Sequence, residues 1–224
     1  MRAAVIAADS VTVETVPDPS PGPRDVVVAV AACGICGTDL HIAEGEFAPT
    51  LPVVPGHEFA GEVVASGARS TRGSTGSAVG DQVAVDPSLY CFECYYCRRG
   101  RNNLCERWAA IGVSTAGGAA QYATAPVANC VKLPENVSPA DAALIEPLSC
   151  AVRGFDVLAP QLGDHYLIYG AGTMGADDDG AGQAGGRGHR QHGRPQPGPA
   201  GDSEGAGLFG HRHRRDELDR PAAG

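Results

Sequence analysis

Residues 91–105 read CFECYYCRRGRNNLC and place Cys91, Cys94, Cys97 and Cys105 at the spacing C-x2-C-x2-C-x7-C. Four thiolates this close in sequence can enclose one metal ion tetrahedrally. A closed four-sulfur shell is a structural zinc site, because the ion has no redox chemistry and no coordination position is left for substrate. The alternatives fit less well. Disulfides belong to oxidising compartments, whereas Met1 runs directly into the strand-like MRAAVIAA with no basic, apolar leader. A bacterial iron–sulfur motif would put three residues before the last cysteine and a proline after it. The chain is therefore expected to be cytoplasmic, with reduced thiols and a metal-crosslinked lobe, and its chemistry must be sought elsewhere.

Outward from the lobe, short apolar runs are separated by Gly, Pro and Asp: RAAVIAA from Arg2, the alternating VTVETV from Val11, DVVVAVAA from Asp25, HEFAGEVVASG from His57, DQVAVDP from Asp81 and AQYATAP from Ala120. Their composition and punctuation predict strands, hence a mainly β domain. ARSTRGSTGSAVGD, residues 68–81, reads as an exposed polar loop. SPADAALIEPLSCAVRGF begins at Ser138, a suitable cap, with Pro139 in the first turn and Asp141 placed to complement the helix dipole. This predicts one helix over 139–157. HYLIYGAGTMG then runs a strand into Gly170, Gly172 and Gly175, the setting in which backbone amides cradle a pyrophosphate; the alternative is an ordinary tight turn.

Charge and composition narrow the partners. The 224 residues carry a formal charge of −9, with 10 basic and 18 acidic side chains in 1–175 and 7 and 8 in 176–224. An acidic body argues against a nucleic-acid groove. No apolar run approaches the roughly 18 residues of a membrane span. From Ala176 onward 12 of 49 residues are glycine, and only Leu208, Phe209 and Leu218 are large and apolar. Such a tail cannot bury enough surface to offset ordering and is expected to be disordered, its His189, His192, His211 and His213 solvated rather than metal-bound.

Cys33-Gly34-Ile35-Cys36-Gly37-Thr38-Asp39-Leu40-His41 and, further on, Gly56-His57-Glu58 supply sulfur, imidazole and carboxylate. Such a mixed set suits zinc and leaves a coordination position for water or a substrate hydroxyl, whose pKa the ion would lower. Taken in order, GICGTDLH, GHE, the four-cysteine lobe, LIEPLSC and GAGTMG resemble the zinc-containing medium-chain alcohol dehydrogenases, most closely the polyol (sorbitol-type) and threonine dehydrogenase branch. The likeness covers residues 1–175.

That resemblance implies a GroES-like zinc-binding catalytic domain over 1–155, the first strand and glycine loop of a Rossmann domain over 156–175, and oxidation of a secondary alcohol of a polyol, cyclitol or amino alcohol by NAD or NADP. It gives Cys36, His57 and Glu58 to catalytic zinc. Glu146 stands where classical members offer a second cysteine, so which glutamate ligates stays open. Thr38 resembles the family's hydroxyl proton relay, with His41 as its outlet. Asp39 is placed to orient the His57 ring, to cap the helix after Cys36, or to do both. Members form homo-oligomers and act on small molecules. Cys33, Cys130 and Cys150 are expected as small buried core residues, His165 as an exposed strand end, and Trp108 as a packing residue.

Beyond Gly175 the family pattern calls for an amphipathic helix, a second strand and an acidic residue about 20 positions on. ADDDGAGQAGGRGHRQHGRPQPGPAGDSEGAGLFGHRHRR offers none of these in period or propensity. The expectation is that a frameshift replaces the native sequence here, leaving an incomplete α/β nucleotide domain and a chain that binds cofactor poorly. The alternative reading is a non-catalytic zinc-binding module.

Overall fold

The computed structural model describes residues 1–46, 51–69, 77–160, 165–170, 172–175 and 190–193. The chain divides into two compact units, Met1–Glu146 and Pro147–Gly224.

The first unit is built on a hairpin and a five-stranded sheet. Strands β1 (Arg2–Ala7) and β2 (Ser10–Thr15) pair antiparallel, Ala7 against Ser10. β1 buries Ala3, Val5 and Ile6, whereas all of β2 is exposed, Val11 and Val13 included. The main sheet runs in the order β8-β3-β4-β5-β9 and is antiparallel throughout, with β3 at Asp25–Cys33, β4 at Phe59–Ser66, β5 at Gln82–Val85, β8 at Tyr122–Pro126 and β9 at Cys130–Lys132. β3 carries the longest continuous apolar run, and a run without polar alternation suits a strand covered on both faces. Val26, Val27 and Val28 are accordingly all buried.

One face of the sheet holds the main core, where Val26, Val28, Phe59, Val63, Val83, Ile111 and Ala125 meet. The other face sets Ala60, Ala84 and Leu133 against Ala142 of helix α2 (Pro139–Ala142). Helix α1 (Gly37–Ala43) buries Ile42 against Ile6, Val53, Ala110 and Val113. The short strands β6 (Ser88–Leu89) and β7 (Ala109–Ala110) pair antiparallel and form the neck from which the cysteine lobe projects.

Three expectations change. The helix expected over 139–157 is two helices, α2 and α3 (Ile145–Leu158), separated by a turn at Ala143 and Leu144. Pro147 has no N–H to donate to the Ala143 carbonyl and its ring crowds that carbonyl, so the continuous ladder is cut there. Cys150, expected in the core, is exposed on α3. Pro147 and Ala151, four residues apart, share that helix's buried face, and Cys150 is turned about 60° from Pro147 and about 100° from Ala151, to one side of it. Ser77, in the segment read as an exposed loop, is buried, while residues 70–76 of that loop lie outside the described residues.

Ser138 caps α2 as expected, its Oγ accepting from the Asp141 N–H at 3.1 Å. Replacing Ser138 with Ala should cost about 1 kcal/mol in reversible unfolding. A change below a few tenths would show that the cap adds nothing.

In the second unit β10 (Tyr166–Tyr169) pairs parallel with β11 (Arg190–Gly193). Those four residues of the tail form a strand; the rest of 176–224, with His189, His211 and His213, lies outside the described residues. No described helix is long and apolar enough to cross a membrane.

Candidate functional site

Two loops deliver the mixed ligand set. Cys36 is the N-cap of α1, immediately beyond β3, and His57 and Glu58 immediately precede β4. β3 and β4 are paired neighbours, so residues separated by twenty positions in sequence emerge from one end of the sheet together. One donor atom from each of Cys36, His57 and Glu58 lies within 4.8 Å of the others, with His57 and Glu58 buried.

The path of the His57 loop is fixed by backbone contacts. Gly56 has φ +91 and Gly112 φ +80, a region that glycine enters freely. A Cβ on Gly112 would overlap the Gly56 carbonyl, and one on Gly117 would overlap the same carbonyl and the Gly112 Cα. The strip 54–56 also receives hydrogen bonds at 2.8 to 2.9 Å from the N–H groups of Gly117, Gly118 and Ala119. Three bare glycines thus form a seam of main chain against main chain behind the imidazole.

Asp39 is buried and joins the two loops. Its Oδ2 accepts the Cys36 N–H at 2.9 Å and its Oδ1 the Gly56 N–H at 3.2 Å. It therefore caps α1 and ties it to the His57 loop. His57 Nδ1 is 3.8 Å from Asp39 Oδ1, too long for a hydrogen bond, and is a buried nitrogen without a hydrogen-bond partner.

Electrostatics favour a thiolate beside an imidazole. A hydrogen bond from His57 lowers the Cys36 pKa below its usual value against the opposing effect of burial, and the same contact raises that of His57. The Glu146 carboxylate also raises His57, the weakest of the causes. Glu146 acts on the pocket by charge and lies outside the three-donor cluster. Thr38 Oγ1 is 3.7 Å from Cys36 Sγ. His41, on the same helix, faces solvent, its Nδ1 2.7 Å from Glu46 Oε2.

Cys130 is buried in the main core, as expected, whereas Cys33 is only partly buried against it; burial pushes both thiols up to about 12. His165 is exposed. Trp108 keeps 44% of its surface exposed and so anchors the lobe only in part.

The second cluster is the lobe itself. The sulfurs of Cys91, Cys94, Cys97 and Cys105 lie within 4.8 Å of one another, and those of Cys91 and Cys97 are 3.9 Å apart. Sulfurs bound to one zinc at about 2.3 Å stand about 3.8 Å apart in a tetrahedron, so the cage fits the ion. The N–H of Cys94 points at Cys91 Sγ at 3.3 Å and that of Cys91 at Cys105 Sγ at 3.4 Å, an arrangement that stabilises thiolate charge. Hydrogen bonds from backbone N–H groups, the Glu93 N–H foremost, hold Cys91 down to about 6. The sequence reading missed Arg107, which pairs with Glu93 at 2.7 Å and lies beside Cys91, setting a cation against the sulfur cage. Its place two residues before the neck strand returns was the only available signal.

In the second unit, Gly170 follows β10 at φ +114, and residues 173–175 form a helical turn. A Cβ on Gly175 would overlap the Gly170 carbonyl, so the expected loop closes tightly on itself; Gly172 meets nothing. An open cavity of about 400 Å³ lined by Arg2, Val13, Val30 and Gln121 offers no metal-ligating donor, so the chemistry is located by donor atoms rather than by volume.

The alcohol dehydrogenase GroES-like domain family matches residues 22–135. L-threonine 3-dehydrogenase of Pyrococcus furiosus is 45% identical over 162 residues, 70% of this chain and 45% of that protein. D-arabinitol dehydrogenase 1 of Uromyces fabae is 41% identical over 151 residues, 67% of this chain and 42% of that protein. A crystal structure from Sinorhizobium meliloti 1021, described as a zinc-binding dehydrogenase bound to NADP, superposes with a TM-score of 0.82 at 35% identity over 87% of this chain and 56% of that one. The chain spans less than half the length of these two curated relatives. With a family match over half of its residues, on the strands and loops that carry both clusters, the chain belongs to the alcohol dehydrogenase family with a GroES-like domain.

Proposed function

We propose that the chain is the metal-binding part of a zinc-dependent NAD(P) oxidoreductase that interconverts a secondary alcohol of a polyol, cyclitol or amino alcohol with its ketone. The observation that carries this is the convergence of Cys36, His57 and Glu58 donors within 4.8 Å. Three protein ligands leave a fourth position open, unlike the four-sulfur cage. A zinc ion held there would supply Lewis acidity, bringing the pKa of an alcohol hydroxyl toward neutrality.

The protein's own residues do the rest. Cys36 offers charge that His57 stabilises, and Glu58 offers an oxygen from the floor of the pocket. Thr38 Oγ1, at the edge of the site, accepts the substrate's proton as it gives up its own toward His41, whose exposed ring one helical turn on hands that proton to water. Asp39 keeps the Cys36 and His57 loops in register. Glu146 adds negative charge near the imidazole. The closed loop from Gly170 to Gly175 fits the phosphate-binding start of a nucleotide domain and is the segment proposed to meet NAD or NADP. Reduced thiols in both clusters suit a cytoplasmic setting, and association of copies is proposed as in the family.

A second reading is a zinc-binding β module without turnover, favoured by the single strand partner of β10 among the described residues. A parallel sheet needs several strands covered on both faces. Metal analysis and NADH fluorescence separate the two. About two zinc per chain with saturable NADH binding supports the oxidoreductase; two zinc without a cofactor response leaves the module. Fewer than two zinc after careful purification overturns the pocket itself.

A further inference from the structure

We propose that Gly34 is a positioning residue for the metal pocket: its missing side chain is the seat on which the Glu58 carboxylate rests, and this seat decides whether Glu58 faces Cys36 and His57. The inference rests on the reading of those three residues as ligands of one ion. It begins with register. β3 and β4 pair Ala32 with Ala60 and Cys33 with Phe59, so one more step sets Gly34 opposite Glu58. The Gly34 N–H indeed donates to the Glu58 carbonyl at 2.7 Å.

Directly opposed residues of an antiparallel pair carry their side chains on the same face, with Cβ atoms about 4.5–5.5 Å apart. At this pair one partner has no side chain, and the other folds over the space. A Cβ on Gly34 would overlap Glu58 Oε2 and stand 3.1 Å from Glu58 Cβ and 3.2 Å from Cδ. Gly34 is not held in the left-handed region, so glycine is required here for room and not for backbone freedom. The atom in the way is the free end of a flexible side chain. The overlap with Oε2 is therefore relieved by swinging the carboxylate out, and the 3.1 Å approach to Glu58 Cβ asks only for a shift of a few tenths of an ångström at the strand ends.

The test is a double-mutant cycle on the 224-residue chain, Gly34→Ala and Glu58→Ala singly and together, read by bound metal per chain and by cobalt(II) absorption. Bands of the mixed site are assigned as those lost in Cys36→Ala. Gly34→Ala should retain the metal of the four-cysteine cage, lose roughly 10–100-fold in affinity at the mixed site, and take on the cobalt spectrum of Glu58→Ala. In the double variant Gly34→Ala should add no further loss, because the carboxylate through which it acts is gone.

A spectrum and affinity for Gly34→Ala like those of the unsubstituted chain, or losses that add in the double variant, overturn the proposal. Should Gly34→Ala lose both metals, restoration of the cage metal by Glu58→Ala in the same chain supports it, and no restoration overturns it. The reading of the ligands fails separately, if the unsubstituted chain takes up one cobalt only or Glu58→Ala leaves the second site unchanged.

Discussion

Cys94→Ser is expected to release one of two bound zinc ions and to unfold the lobe between β6 and β7 while leaving the five-stranded sheet intact. The lobe has almost no other core: Cys94, Cys97 and Cys105 are its buried centre, packed only by Cys91, Tyr90 and Tyr96. Its larger apolar side chains, Phe92, Tyr95 and Leu104, lie largely in solvent. Structural zinc supplies about 10–16 kcal/mol of folding free energy in small metal-dependent units. That exceeds what so small a segment gains from buried apolar area. The serine variant should show one zinc by elemental analysis, new protease cuts within 91–105, and a retained far-UV signal from the sheet. A variant that keeps two zinc ions and resists cleavage would remove the lobe's claim to be metal-folded.

Cys36→Ala should do the opposite, losing the other zinc with little loss of fold. Cys36 is half-buried on a loop, and the main core at Val26, Phe59 and Val63 contains no part of it. If the roughly 10–16 kcal/mol of a four-ligand structural zinc site is divided equally, one thiolate is worth about 2.5–4 kcal/mol, and the loss of Cys36 on that scale is about 10²- to 10³-fold in affinity. Dialysis against a zinc buffer would measure that loss, with the melting transition of the sheet as control. In a chain that turns over, activity should fall with the metal. If Cys36→Ala and Cys94→Ser unfold the protein alike, the division between a closed and an open site is wrong.

Most of this was legible where the information is local. The four cysteines lie within fifteen residues, so their spacing alone assembles the cage, and the continuous apolar run of β3 marks a central strand. The mixed site was different, because nothing in the spacing of Cys36 and His57 says that they meet. Resemblance to a family supplied that, and the pairing of β3 with β4 gives the cause. The start signals at Ser138, Pro139 and Asp141 announced a helix over 139–157, but Pro147 was not weighed against its continuing, so two helices were read as one. Cys150 looked apolar by its neighbours in sequence, yet its angle around α3 decides exposure. Gly34 looked like one more loop glycine, since the register that sets it against Glu58 is a property of two strands. Asp39 could not be assigned before the positions of Gly56 and Cys36 in space were known.

The seam of Gly56, Gly112 and Gly117 has a consequence for how this domain can diverge. Main chain resting on main chain offers no rotamers to choose among, so the position of His57 does not depend on which valines and alanines fill the nearby core. Those interior positions can exchange volume among themselves over long lineages while the imidazole stays in place. The three bare positions tolerate no such drift, and new specificities must be written into the rim around a fixed centre.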